Sequence, residues 1–260
     1  MSAEVKILLE GFTNADSAPE TGKEKTRPTI TLVRDENLIM VVDPGILESQ
    51  QILIDALKKE NLTVKDINIV CITHSHIDHY RNAGMFPDAK ILEYYGIWNK
   101  DTVEDWSEDF TANIHILRTP GHDRTSITLF VTTGPESSHP GVVAICGDVF
   151  WRENYPEDPQ DDAYVSDPIK LEESRSMVLE TADWIIPGHA GIYKNNRKIT
   201  PPRRKTGRKE RGDIFGVCRK CQRVIKTKLD SCRCRPWLCH HCCECGLDCD
   251  LCGCSHKKDF

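Results

Sequence analysis

Apolar runs of strand length, broken by turn residues, dominate the first half of the chain. VKILLEG and PTITLVRD are predicted to pair as strands. ENLIMVVDPG is a continuous apolar run that stops at Asp-Pro-Gly, a strand followed by a turn. The period then changes. In ESQQILIDALKKENL the apolar residues Ile52, Ala56, Leu57 and Leu62 recur at roughly helical spacing with polar residues between, which predicts a helix. INIVCIT predicts a buried strand, and AKILEYYG, NIHILRTPG, SITLFVTT and GVVAICGD predict further strands. LEESRSMVLETA reads as a helix and WIIPGHAG as a last strand and turn. Strands mixed with helices, with the unusual residues at strand ends, predict a layered α/β hydrolase domain over residues 1–193.

Beyond residue 193 the pattern breaks. Residues 194–213, KNNRKITPPRRKTGRKERGD, hold nine Lys+Arg, two consecutive prolines and almost no apolar side chain. That composition predicts an extended, solvated linker over 194–215, followed by a cysteine-rich module over 216–260. Charge divides at the same place. Residues 1–193 carry 33 Asp+Glu against 16 Lys+Arg, a balance of −17, and residues 194–260 carry 7 against 18, a balance of +11. An acidic body with a basic tail points to a polyanion partner or an electrostatic anchor. Arg203, Arg204, Lys205, Arg208, Lys209 and Arg211 could contact successive phosphates of single-stranded RNA; a solubilising role for the same residues fits equally.

No apolar run approaches the roughly 20 residues of a membrane span, and the N-terminus shows no charged-then-apolar signal pattern, so a cytoplasmic protein with no membrane contact is expected. Of the 13 cysteines, Cys71 and Cys146 lie inside apolar strand-like runs and read as small buried hydrophobes. The other 11 lie between Cys218 and Cys254. Without a secretory signal, thiolate–metal binding accounts for them better than disulfides do.

The chemistry concentrates in ITHSHIDHYRNAG, residues 72–84. His74 and His76, two apart at a strand end, can turn both imidazoles to one ion, and Asp78 and His79 can face a second as the chain turns. Further ligand types follow, each at a strand terminus beside a glycine: His122 in RTPGHDRTS, Asp148 in VVAICGDVF and His189 in DWIIPGHAG.

This set, H-x-H-x-D-H and then H, D and H at separations of 43, 26 and 41 residues, resembles the metallo-β-lactamase superfamily. The resemblance implies an αββα sandwich, with a small zinc-stabilised C-terminal domain added here. It also implies a first metal held by His74, His76 and His122 and a second by Asp78, His79 and His189, with Asp148 bridging them. Asp43 in VVDPG matches the family's early aspartate, which supports a ligand histidine from behind; capping a turn is the alternative. Imidazoles with carboxylates suit two Zn²⁺, though Mn²⁺ or Fe²⁺ fit such sites. The implied reaction is hydrolysis by a metal-bridging hydroxide, with Asp78 as the catalytic residue that orients the water or carries its proton.

Departures narrow the substrate. Oxygen-reducing relatives have Glu where this chain has His76, so a redox role is disfavoured. The Asp148 bridge sets the chain apart from the main β-lactamase classes. Only 66 residues lie between His122 and His189, too few for the inserted cassette of the larger RNA- and DNA-processing members. GDVFWRENYPEDPQ, the Ser-Asp-Pro that follows, EESRSMVLETADWIIPGHA and THSHIDHYRNAGMFPDA are similar to the group of metallo-β-lactamase domain-containing protein 1. That group is known for hydrolytic cleavage of RNA, which implies a small endoribonuclease. Small thioesters, lactones or β-lactams are the alternative substrates, the tail then serving as a protein-docking module.

In the tail, Cys218, Cys221, Cys232, Cys234, Cys239, Cys242, Cys249 and Cys252 form a C-x2-C-x10-C-x-C-x4-C-x2-C-x6-C-x2-C series that looks like a cross-braced RING-type pattern. Two or three structural Zn²⁺ are expected, since so short a segment has too little apolar surface to fold alone. A disordered, metal-collecting tail is the alternative, and spacing leaves the grouping of thiolates open. A protein partner for this module and a homodimer of the chain are further expectations.

Overall fold

In the computed structural model the structure describes residues 2–15 and 22–197, together with the backbone of 216–217 and 224–225. The chain divides into two units, Met1–Pro201 and Pro202–Phe260.

The first unit is built on two sheets. Strands β1 (Glu4–Leu9), β4 (Ile30–Asp35), β5 (Leu38–Val42), β6 (Ile69–Cys71), β7 (Lys90–Glu93), β8 (Gly96–Asn99) and β9 (Thr102–Glu104) lie side by side in that order. The second sheet runs β10 (Ile114–Arg118), β11 (Ile127–Thr133), β12 (Gly141–Ile145), β13 (Trp184–Ile186) and β14 (Tyr193–Lys194), with β2 (Phe12–Thr13) and β3 (Thr26–Arg27) as a separate small ribbon. VKILL and ITLVRD pair antiparallel as expected, Val5 opposite Val33, while β5–β6–β7 are parallel. The last segment of the body takes in Lys194 and Asn195, whose amide donates to the carbonyls of Leu179 and Ala182 at 2.8 Å.

Alternation in the strands explains the layering. Val33, Met40, Val42 and Cys71 from one sheet meet Ile116, Leu129, Val131, Val143 and Ile145 from the other, a dry core between the sheets. The opposite face of the first sheet packs Leu32, Val41 and Val70 against Leu53 and Leu57 of α1 (Gln51–Lys59). The outer face of the second packs Phe130 and Ala144 against Leu171 and Val178 of α3 (Pro168–Thr181). The result is the helix–sheet–sheet–helix arrangement expected from the sequence.

Local differences have physical causes. In α1 the innermost residues are Leu53 and the expected Ala56 and Leu57, with Ile52 only half buried, because Leu53 lies one turn before Ala56 and Leu57 on the same face. Helix α3 begins at Pro168, three residues before the apolar pattern does. Asp167 caps it, its carboxylate accepting from the backbone N–H of Ile169 and Lys170, and Pro168 sits where no intrahelical N–H is needed. The β8–β9 hairpin is exposed along most of its length, so it carries no alternation to read.

In the second unit the described backbone is one antiparallel pair, β15 (Gly216–Val217) with β16 (Val224–Ile225). The eight tail cysteines and the six linker cations named above lie outside the described residues. Among the described residues, no helix is long and apolar enough to cross a membrane.

Candidate metal centre

All seven predicted ligand residues converge at the ends of the two sheets. β6 delivers His74 and His76, and the single turn α2 (Ile77–Tyr80) then turns Asp78 and His79 inward. His122 follows β10, Asp148 follows β12, and His189 follows β13. They form two groups: His74, His76, His122 and Asp148 in one, Asp78, His79 and His189 in the other, the ligand atoms of each group lying within 4.8 Å of one another.

The back of each imidazole decides what its front can do. His79 Nδ1–H donates to Asp43 Oδ2 at 2.8 Å. The Thr73 hydroxyl donates to the same oxygen at 2.7 Å and in turn accepts from His74 Nδ1–H at 3.1 Å. His189 Nδ1–H donates to the Arg27 carbonyl at 2.9 Å. His122 Nδ1–H donates to Asp162 Oδ2 at 2.6 Å. With four Nδ1 protons so placed, four Nε2 lone pairs face inward. They surround Asp148: its Oδ2 lies 3.8 Å from His74 Nε2, 3.3 Å from His122 Nε2 and 3.1 Å from His189 Nε2, and its Oδ1 lies 3.4 Å from His79 Nε2. His76 enters through Nδ1, 3.1 Å from His74 Nε2 and 3.0 Å from His122 Nε2.

Lone pairs facing a carboxylate repel unless cations lie between them. His79 Nε2 and Asp148 Oδ1 are moreover buried without any hydrogen-bond partner. The donor set therefore fits two divalent ions. Ligands at about 2.0–2.1 Å from a tetrahedral ion sit about 3.3 Å from each other, close to the spacings found here.

Without ions, protons must serve. Burial alone lowers the His79 imidazole, but Asp148 and Asp43 outweigh it and hold it well above its ordinary value; burial likewise lowers His189, and Asp148 raises it above normal. Burial pushes His74 well below the ordinary histidine value, with the neighbouring His79 adding to the effect. Burial alone would raise the Asp148 carboxyl; His189 and His79 overcome that and keep it well below the usual carboxylate range.

Two glycines make room. Gly147 has φ +50°, and a Cβ there would lie 2.4 Å from the Thr73 hydroxyl that holds His74. At Gly188 a Cβ would lie 1.7 Å from Asp148 Oδ1. Asp43 itself adopts φ +49°, a conformation costly for a non-glycine residue, while its two oxygens accept from Thr73 N–H, Thr73 O–H and His79. Its carboxylate backs a histidine rather than capping its own turn.

A cavity of about 250 Å³ opens beside the cluster, lined by His76, Asp78, Asp148 and His189 together with Ile77, Trp151, Tyr164 and Glu24. Thr26 O–H donates to Asp78 Oδ2 at 3.1 Å. Sequence reasoning missed Thr26, Thr73, Arg27 and Asp162, whose role is support. The only signals were the threonine beside His74 and the acidic run before Ser-Asp-Pro.

Residues 26–189 match the model of the metallo-beta-lactamase superfamily. The chain is 31% identical over 202 residues to metallo-beta-lactamase domain-containing protein 1 of Xenopus laevis, covering 73% of this chain and 81% of that protein. Among solved structures it is similar to a Thermotoga maritima protein assigned to the metallo-beta-lactamases, with TM-score 0.59 and 20% identity, over 75% of this chain and all of that one. It also resembles an N-acyl homoserine lactone hydrolase, with TM-score 0.53 and 17% identity, over 72% of this chain and 92% of that one. Two sheets with helices outside, seven His and Asp side chains gathered where they end and a family match spanning all seven lead to one conclusion: the chain belongs to the metallo-beta-lactamase superfamily.

Proposed function

We propose that the protein is a two-metal hydrolase whose substrate is RNA. The observation that carries the hydrolase reading is Asp148, a buried carboxylate set between two histidine groups whose lone pairs all face it. Zinc is the ion this donor set favours, and two such ions would supply an acidified water and a positive pole for charge developing on the substrate oxygen.

The chain's own residues do the rest. Asp148 fixes the separation of the two groups. Asp43 and Thr73 keep the protons of His79 and His74 on the outward nitrogens. Asp78, steadied by Thr26, borders the cavity and holds the proton taken from the attacking water. Trp151, Tyr164 and Ile77 form a wall that limits water around the scissile bond.

The sequence resemblance and the basic segment 194–213 support RNA. Among the described residues the lining of the cavity includes no Lys or Arg, so the ions would have to meet the phosphate there. The same lining, with Ala15, Ile77, Trp151 and Tyr164 on it and no described Lys or Arg, favours a second reading: a small uncharged ester, lactone or thioester. One experiment separates them. Zinc-loaded protein should cut labelled single-stranded RNA, with activity falling steeply as salt rises and less steeply once residues 198–260 are removed. RNA left intact while a chromogenic thioester or lactone turns over would refute RNA as substrate.

A further inference from the structure

We infer that Asp162 is a positioning residue for the first metal group, acting through His122. The inference rests on the two-metal reading above and extends it to a residue outside the ligand set.

Asp162 lies in the acidic segment between β12 and α3, forty residues after His122. Its side chain is fully buried, and so is that of His122. Oδ2 accepts from His122 Nδ1–H at 2.6 Å, and Oδ1 accepts from the backbone N–H of Tyr164 at 2.9 Å. Both oxygens are thus used, one on the ligand ring and one on its own loop. A bond this short between a carboxylate and an imidazole is charge-assisted. It fixes the tautomer with Nε2 bare, holds the ring plane and makes Nε2 a stronger donor to a cation.

The loop is anchored to the turn that carries His122. Ser166 N–H donates to the carbonyls of Gly121 and His122 at 2.9 and 3.0 Å, and Asp167 N–H donates to Gly121 at 2.9 Å. The hydroxyl of Ser166 donates to the Gly121 carbonyl at 2.8 Å, and that of Ser174 to the Pro120 carbonyl at 2.7 Å. Arg175, itself buried, donates from α3 to the Pro156 carbonyl at the loop's start. The ligand turn and the loop therefore form one unit, and the carboxylate reaches the ring from a frame with little freedom to shift.

The two groups are matched in this respect. His79 in one is backed by the Asp43 carboxylate and His122 in the other by the Asp162 carboxylate, whereas a hydroxyl backs His74 and a backbone carbonyl backs His189. Each group thus has one imidazole, backed by a negative charge, that would be the stronger donor to an ion held there. Asp161, the preceding residue, is exposed and has no such position.

The test is stepwise chelator competition for Zn²⁺ on the full chain, with His122→Ala and His189→Ala identifying which step belongs to which group. Asp162→Asn keeps the size of the side chain and an acceptor for Tyr164 while removing the charge. It should weaken the first group about 10- to 100-fold and leave the second within about threefold, with the melting point of the metal-free protein unchanged. In the His122→Ala background it should add nothing, because the effect passes through that ring. Asp161→Asn should match wild type. Should Asp162→Asn fail to fold, Asp162→Ser, which cannot crowd the loop, takes its place. Unchanged affinity, an additive effect with His122→Ala, or equal loss at both groups with a lowered metal-free melting point would each overturn the inference. A wild-type chain in which no uptake step is lost in His122→Ala or His189→Ala would instead overturn the two-metal reading.

Discussion

Adding one methyl group at Gly188 tests whether the position of Asp148 governs the site. The new Cβ would sit 1.7 Å from Asp148 Oδ1 and 2.9 Å from its Cγ, where ordinary contact begins at 3.4 Å, so the carboxylate must retreat by roughly 1.7 Å. The backbone cannot yield instead. Gly188 N–H donates to the Phe150 carbonyl at 2.9 Å, and its own carbonyl accepts from Thr29 N–H at 2.6 Å. A displacement of about 1 Å in a reacting array costs on the order of 100-fold, equivalent to about 2.7 kcal/mol. Gly188→Ala should therefore lower kcat/KM at least about 100-fold on bis(p-nitrophenyl) phosphate and lower the bound zinc relative to wild type. Overpacking of a tight site costs about 1–3 kcal/mol of stability, a melting-point drop of a few degrees for a domain of this size. The protein should thus stay folded at 25 °C. A variant with the wild-type zinc content and wild-type turnover would refute the argument that Asp148 must stand where it does.

Two further outcomes follow from the same geometry. Asp78→Ala should abolish hydrolysis and weaken zinc binding by the group it shares with His79 and His189, with a far-ultraviolet circular dichroism spectrum like that of wild type; undiminished turnover would remove Asp78 from the mechanism. Burial pushes the Cys146 thiol up to about 12, which leaves about one thiolate in ten thousand at pH 8, and the residue is 1% exposed. Peptide mapping after iodoacetamide treatment at that pH should find Cys146 unlabelled until denaturant is added, and prompt labelling of the native protein would contradict its place under the second sheet.

Much of the site was readable because its main elements are local. Residues two apart at a strand end face the same way, so His74 and His76 could be assigned to a common ion from spacing, and the turn that follows brings in Asp78 and His79. Asp43 was singled out by the family resemblance; that it serves His79 directly and His74 through Thr73 required the folded neighbourhood. The α1 and α3 patterns located both outer helices and the buried Ala56 and Leu57 of α1, but missed Leu53 and where α3 begins. The exposed β8–β9 hairpin gave no periodic signal at all.

The sequence by itself determined the strand pattern, a layered α/β body and the seven residues that gather at the strand ends, because hydrophobic periodicity and short ligand spacing are properties of neighbouring residues; the αββα order came with the family resemblance. Only the tertiary structure decided which groups stand behind the ligands. Asp161 and Asp162 are identical in type and adjacent, yet one is exposed and the other grips His122. Arg27 lends its carbonyl to a histidine 162 residues away. These partners are chosen by how loops pack between distant elements, and a hydrogen bond depends on distances of tenths of an ångström that a linear pattern does not encode.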